Sequence, residues 1–128
     1  VRVLLDTHAF LWWLDGDRRL SKRTRALISN EDTEVLVSAA TAWEISIKAA
    51  SGKLPGALDV AADILGCVRA QRFVPLDITV LHAQRAGSLP PLHGDPFDRA
   101  LIAQALLEGV PILSVDAVFD GYGVTRIW

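Results

Sequence analysis

Short apolar, β-branched runs alternate with longer segments of helical spacing from one end of the chain to the other. This alternation restricts it to an α/β architecture, a mostly parallel sheet of strands with helices over both faces. Residues 1–5 (VRVLL) read as a buried strand that stops at Asp6-Thr7, a pair suited to opening a helix. Residues 8–14 (HAFLWWL) predict a short helix closed by the turn-prone Asp15-Gly16-Asp17, and Ser21 caps a second helix over 21–29. Next come a strand over 34–37, a helix over 41–50 ending at Ser51-Gly52, and apolar residues at helical spacing over 58–72. A short buried strand over 73–76 and a helix over 79–86 come after them. Residues 87–94, with Pro90-Pro91 and two glycines, make the one long loop. Asp95-Pro96 then starts a helix whose FDRALIAQALLEG is apolar on nearly every face, which predicts a central position. A strand over 111–115 closes at Asp116, and 124–127 is expected as a last edge strand.

Parallel α/β sheets bind ligands beyond the carboxyl ends of their strands. Asp6 and Asp116 both occupy such ends, so one cleft is expected to collect them from opposite ends of the sequence. Taken singly, each acid has a structural explanation that outweighs a chemical one. Asp6 and Asp116 can cap the helices or turns that their strands lead into, and Thr41 to Glu44 has the form of a capping box. Glu44 also stands four before Lys48, as in an ordinary ion pair, and Asp98 falls in a helix's first turn, where negative charge suits the dipole. Their conjunction changes the weighing, because strand ends and helix starts border a common crevice. Two carboxylates about 5 Å apart at an effective dielectric near 20 repel by roughly 3 kcal/mol. Four together need cations or bound protons. Mg²⁺ or Mn²⁺ suits carboxylate and water oxygens, and such a site suits phosphodiester hydrolysis by metal-activated water.

Composition narrows the class further. The 128 residues fit one domain, 1–128, and 51% hydrophobic against 22% charged residues is the balance of a folded globule. No apolar run approaches the roughly 20 residues that cross a bilayer, and the VRVLLD start lacks the features of a secretory signal, so a cytoplasmic location is expected. Cys67 is the single cysteine, which leaves no intrachain disulfide and no thiolate cluster for zinc. A net charge of −2 argues against coating nucleic acid by bulk attraction. Arg18, Arg19, Lys22, Arg23 and Arg25 nonetheless form a basic stretch that reads equally as a solvated helix face or as a phosphate-facing patch.

Four pieces of the chain, LLDTHAFLWWL, SAATAWEISIKAASGKL, LPPLHGDPFDRALIAQA and ILSVDAVF, together resemble PIN-domain ribonucleases, specifically the VapC-type toxins of bacterial toxin–antitoxin pairs. DPFDR with its apolar helix is the most specific of them. The resemblance implies a PIN-like three-layer α/β fold whose central sheet has four to five strands. It also implies that Asp6, Glu44 and Asp98 are metal-binding acids with Asp116 as the fourth, that Asp95 is a helix cap, and that Mg²⁺ or Mn²⁺ is the cofactor. It further implies an RNA substrate, a homodimer and a cognate antitoxin whose peptide lies over the acidic site. Thr7 and Ser114 sit beside matched acids, where their hydroxyls can orient them or simply cap.

Other residues carry less. His8, His82 and His93 are more often packed or surface residues than ligands, although His8 stands close enough to the first acid to approach a phosphate. Arg99 is expected to pair with Asp95. Trp12, Trp13 and Trp43 read as core residues, and exposure of any of them would point to a partner protein. Two rival classes are a phosphotransfer domain and a non-catalytic module with an acidic cleft. The first fits poorly: His8 stands where a phosphatase of the haloacid-dehalogenase kind would have its second acid, and no lysine occurs after Lys53.

Overall fold

The computed structural model describes residues Val1–Trp128. Five strands, β1 (Arg2–Leu5), β2 (Glu34–Ser38), β3 (Val74–Leu76), β4 (Ile112–Leu113) and β5 (Arg126–Ile127), form one sheet in the order β3-β2-β1-β4-β5. Every neighbouring pair is parallel. The sheet is thus wholly parallel, with β1 in its middle. Val3, Leu4 and Leu5 are all completely buried, as a strand covered on both faces must be. Their side chains alternate between two cores. Val3 and Leu5 pack with Phe10, Ile28, Ile45 and Phe73, while Leu4 packs with Leu36, Leu101, Ile102, Ile112 and Phe119.

Seven helices connect and cover these strands: α1 (Thr7–Asp15), α2 (Lys22–Ser29), α3 (Ala39–Ala50), α4 (Leu58–Ala62), α5 (Ile64–Ala70), α6 (Val80–Ser88) and α7 (Pro96–Glu108). Asp6 caps α1 through the Ala9 N–H, and Gly16, at φ 64, closes it by donating to the carbonyls of Trp12 and Trp13. The apolar α7 runs beneath the sheet with Leu101 to Ala105 buried, which is the central position its sequence predicts.

Three expectations need correction. Helix α3 starts at Ala39 rather than 41, because the Ser38 hydroxyl accepts the Ala40 N–H, so Thr41 lies inside the helix and makes no capping box with Glu44. The capping box of this fold joins Thr79 and His82 instead. The helical periodicity over 58–72 is interrupted at Asp63, whose backbone is extended and whose carboxylate takes the Gly66 N–H to start α5 afresh. A Cβ on Gly66 would fall 2.1 Å from that carboxylate, so any larger residue there would push the Asp63 side chain out of its present capping position. Finally, β3 is an edge strand with Val74 exposed, not a buried one.

From β1 the chain winds outward through β2 to β3, then crosses to β4 and β5 on the other side. The strand order therefore reverses between β1 and β4, and a crevice opens beyond their carboxyl ends. The core under this crevice is tightly filled. Ile102→Ala is expected to destabilise the protein by about 2–5 kcal/mol, read from the midpoint of urea unfolding, because its side chain is completely buried among the residues of one core cluster and its removal leaves a cavity.

Candidate active site

Four acids from separate elements reach that crevice. Asp6 stands directly after β1 and is 7% exposed, and Glu44, on the second turn of α3, is 5% exposed. Asp98 stands in the first turn of α7, where the Asp95 carboxylate accepts its N–H at 2.9 Å and Pro96 sets the backbone for helix entry. Asp116 lies just beyond β4 and accepts the Val118 N–H at 3.0 Å. All four line one cleft of about 400 Å³, together with Thr7, His8, Lys48 and Asp95. The fold thus brings into one place acids that the sequence holds far apart.

Crowding of like charge is answered differently at each acid. Burial pushes the Asp6 carboxyl up to about 6, with the negative charge of Asp98 adding to the rise; the Ser114 hydroxyl, the Ala9 N–H and the nearby His8 oppose it. Asp98 is also raised, chiefly by burial and further by Asp95 and Glu44, against the favourable contact with His93. That contact is direct, with His93 Nε2 2.8 Å from Asp98 Oδ2. Glu44 accepts a hydrogen bond of 2.5 Å from the Thr7 hydroxyl and is held by the Lys48 ammonium, whose own pKa rises through this bond.

The donors around the cleft are oxygens, with His8 as its single imidazole and no thiolate. No three of the acids and histidines converge into a ready-made cage. Such a set fits a hard divalent cation that keeps part of its water shell and receives only some ligands from protein. It does not fit zinc, which wants a closed nitrogen and sulfur tetrahedron or three protein ligands.

Several expected roles are redistributed. Thr7 orients Glu44, from a different element, rather than its neighbour Asp6. Ser114 acts on Asp6 and accepts the Asp116 N–H at 2.9 Å. The expected pair between Arg99 and Asp95 does not form. The Asp95 carboxylate serves the helix cap, while the Arg99 guanidinium donates to the carbonyls of Ala86, Leu89, Pro90 and His93 in the preceding loop. That loop is rich in proline and short of N–H donors of its own. It delivers His93, the residue whose role at the site was missed. The only sequence signal for it was a histidine placed just before the DPFD turn. His82 is buried as a packed residue. Of the basic stretch, Arg19 lines the cleft, Arg25 donates to the Asp17 carbonyl, and Arg18, Lys22 and Arg23 are exposed. Trp12 and Trp13 pack against the core, whereas Trp43 is 59% exposed and meets Phe97 edge-on.

A family model described as PIN domain matches residues 3–124. Among solved structures, the chain is similar to VapBC2 from Rickettsia felis bound to a DNA fragment from their promoter (TM-score 0.72, 12% identity, 99% of this chain and 98% of that one). It is also similar to FitAcB from Neisseria gonorrhoeae (TM-score 0.63, 18% identity, covering 98% and 96%) and to a toxin–antitoxin complex from Klebsiella pneumoniae (TM-score 0.62, 19% identity, covering 90% and 87%). A comparison with curated proteins finds no match.

Because Asp6 titrates higher in the folded chain than in the unfolded one, the native state holds the extra proton between about pH 4 and 6. The stability linked to it is present at low pH and is lost as pH rises through that window. Asp6→Asn keeps the capping oxygen but not the charge. With chelator present, its stability relative to the parent is therefore expected to climb between pH 4 and 7 by an amount on the order of 3 kcal/mol, measured by denaturant titration. A constant difference across that range would show that Asp6 is not desolvated as described.

Proposed function

The chain belongs to the PIN-domain family, and from that premise we propose that it is a metal-dependent endoribonuclease acting as the toxin of a toxin–antitoxin pair. One observation carries the reading: Asp6, Glu44, Asp98 and Asp116 line a single cleft at the point where the strand order of the sheet reverses. In this reading these four acids would hold Mg²⁺ or Mn²⁺. The bound ion supplies an acidified water and neutralises charge developing on the phosphate. The chain's own residues prepare for that. Thr7 fixes the Glu44 carboxylate, Lys48 offsets its charge, Ser114 favours the charged form of Asp6, and His93 holds Asp98. At Asp6 and Asp98 these contacts draw the carboxyl back toward its charged form, against the burial that raises both.

The same reading implies partners. Complexes of toxin with antitoxin are among the similar structures, which supports a cognate antitoxin for this chain. Trp43, exposed beside Phe97, is suited to meet a protein surface, either that antitoxin or a second copy in a homodimer. No helix is long and apolar enough to cross a membrane, and a cytoplasmic setting suits an RNA substrate.

Purified protein freed of any antitoxin is expected to cleave single-stranded RNA in Mg²⁺ or Mn²⁺ and to stop when chelator is added. Asp6→Asn is expected to lose more than the roughly 10–100-fold that removal of an outer-shell partner costs, with no loss of folding by circular dichroism. Cleavage that survives both chelator and the substitution would reject the metal mechanism.

A further inference from the structure

Next to the acidic cleft lies a second cavity, of about 230 Å³, that the proposed chemistry does not use. Its near wall is one face of α1, with His8, Leu11, Trp12 and Asp15 recurring at helical spacing. Its far wall is the turn Pro55–Ala57 with Leu54 and Val60. Half of the lining residues are hydrophobic. His8, Trp12 and Arg19 line both cavities, so the second one opens directly off the first. Pockets for drug-sized ligands run from roughly 300 Å³ upward, so this one is scaled to a single flat ring system.

Arg19 decides what kind of ring. Its guanidinium carbon lies 4.7 Å from the centre of the Trp12 ring, while its Nε and Nη2 donate to the two carboxylate oxygens of Asp17 at 3.1 and 2.8 Å. One edge of the fork that would otherwise grip a phosphate is thereby occupied. What Arg19 still offers is a flat face, because 68% of its side chain remains exposed. His8 tilts against the same Trp12 ring at 5.6 Å and lines both cavities with it. A planar cation laid over an indole, held in place before any ligand arrives, is a stacking platform of the sort single-stranded nucleic acids use.

Building on the nuclease reading, we propose that this cavity binds an unpaired nucleobase next to the phosphate held in the acidic cleft. Arg19 and Trp12 supply the stacking surface, and the wall from Leu54 to Val60 supplies the apolar edge. The substrate class is then single-stranded RNA with a base splayed out beside the cut, not a duplex. Such stacking is tolerant of base identity, so the site selects for an unpaired base more than for a sequence.

Binding is measured by fluorescence anisotropy with chelator present, on the Asp6→Asn protein, using an end-labelled single-stranded RNA of mixed sequence. A companion series carries one abasic position at a time. Arg19→Lys keeps the positive charge and removes the plane. It is expected to weaken binding of the intact RNA about tenfold. The RNA made abasic beside the cleavage position should bind equally weakly to both proteins. Arg19 is exposed, so folding is not at stake, and a circular dichroism spectrum verifies it. Equal affinity of Arg19→Lys and its parent for intact RNA would overturn the base site, as expected if the cavity serves a protein partner instead. Separate assays on the unmutated protein keep the two readings apart. Metal-dependent cleavage unaffected by Arg19→Lys sinks only the base site. Base-dependent binding without cleavage sinks the nuclease reading and leaves the base site standing.

Discussion

Burial of carboxylates beyond the carboxyl ends of the central strands is the constraint around which the site of this molecule is arranged. It disfavours their charged forms, and the negative charge of neighbouring acids adds to the penalty at Asp6 and Asp98. The fold answers differently at each buried acid: a raised proton affinity at Asp6, an ammonium beside Glu44 and a hydrogen bond from the His93 ring at Asp98. Asp116 stays exposed to water. A wholly parallel sheet with β1 at its centre is what brings the first and last of these acids together, since only there do two crossovers depart in opposite directions.

Capping and chemistry are not rival explanations here. A carboxylate has two oxygens, and helix entry consumes one. Asp6 gives Oδ1 to the Ala9 N–H, and Asp116 gives Oδ1 to the Val118 N–H. In each, the second oxygen remains uncommitted to the helix. Asp95 serves the cap of α7 and thereby fixes the backbone from which Asp98 projects. The same local rules that make these residues good helix starters hold them at the rim of the crevice.

Local rules were also what the sequence made legible. Periodicity and turn residues located every strand and most helices, and the positions of Asp6, Asp98 and Asp116 relative to strand ends and a helix start pointed to one crevice. The errors fall where a side chain overrode periodicity. Ser38 began α3 two residues early, and Asp63 cut one apolar stretch into two helices. In the site, the lysine four residues after Glu44 was readable, but the Thr7 contact to Glu44 spans 37 positions and no local pattern encodes it. Sequence proximity pairs Arg99 with Asp95, one helical turn before it. A proline-rich loop with unsatisfied carbonyls was the stronger claim on a donor with five N–H groups.

That claim has a mechanical side. One guanidinium gathers the carbonyls of Ala86, Leu89, Pro90 and His93, and the Tyr122 hydroxyl adds a further bond of 3.0 Å to Pro90. The segment is thus lashed to α7 through Arg99 and to the turn after β4 through Tyr122. The His93 ring that meets Asp98 at 2.8 Å is therefore carried on a backbone braced from two sides, so its place beside that acid is set by the brace and not by the loop's own sequence.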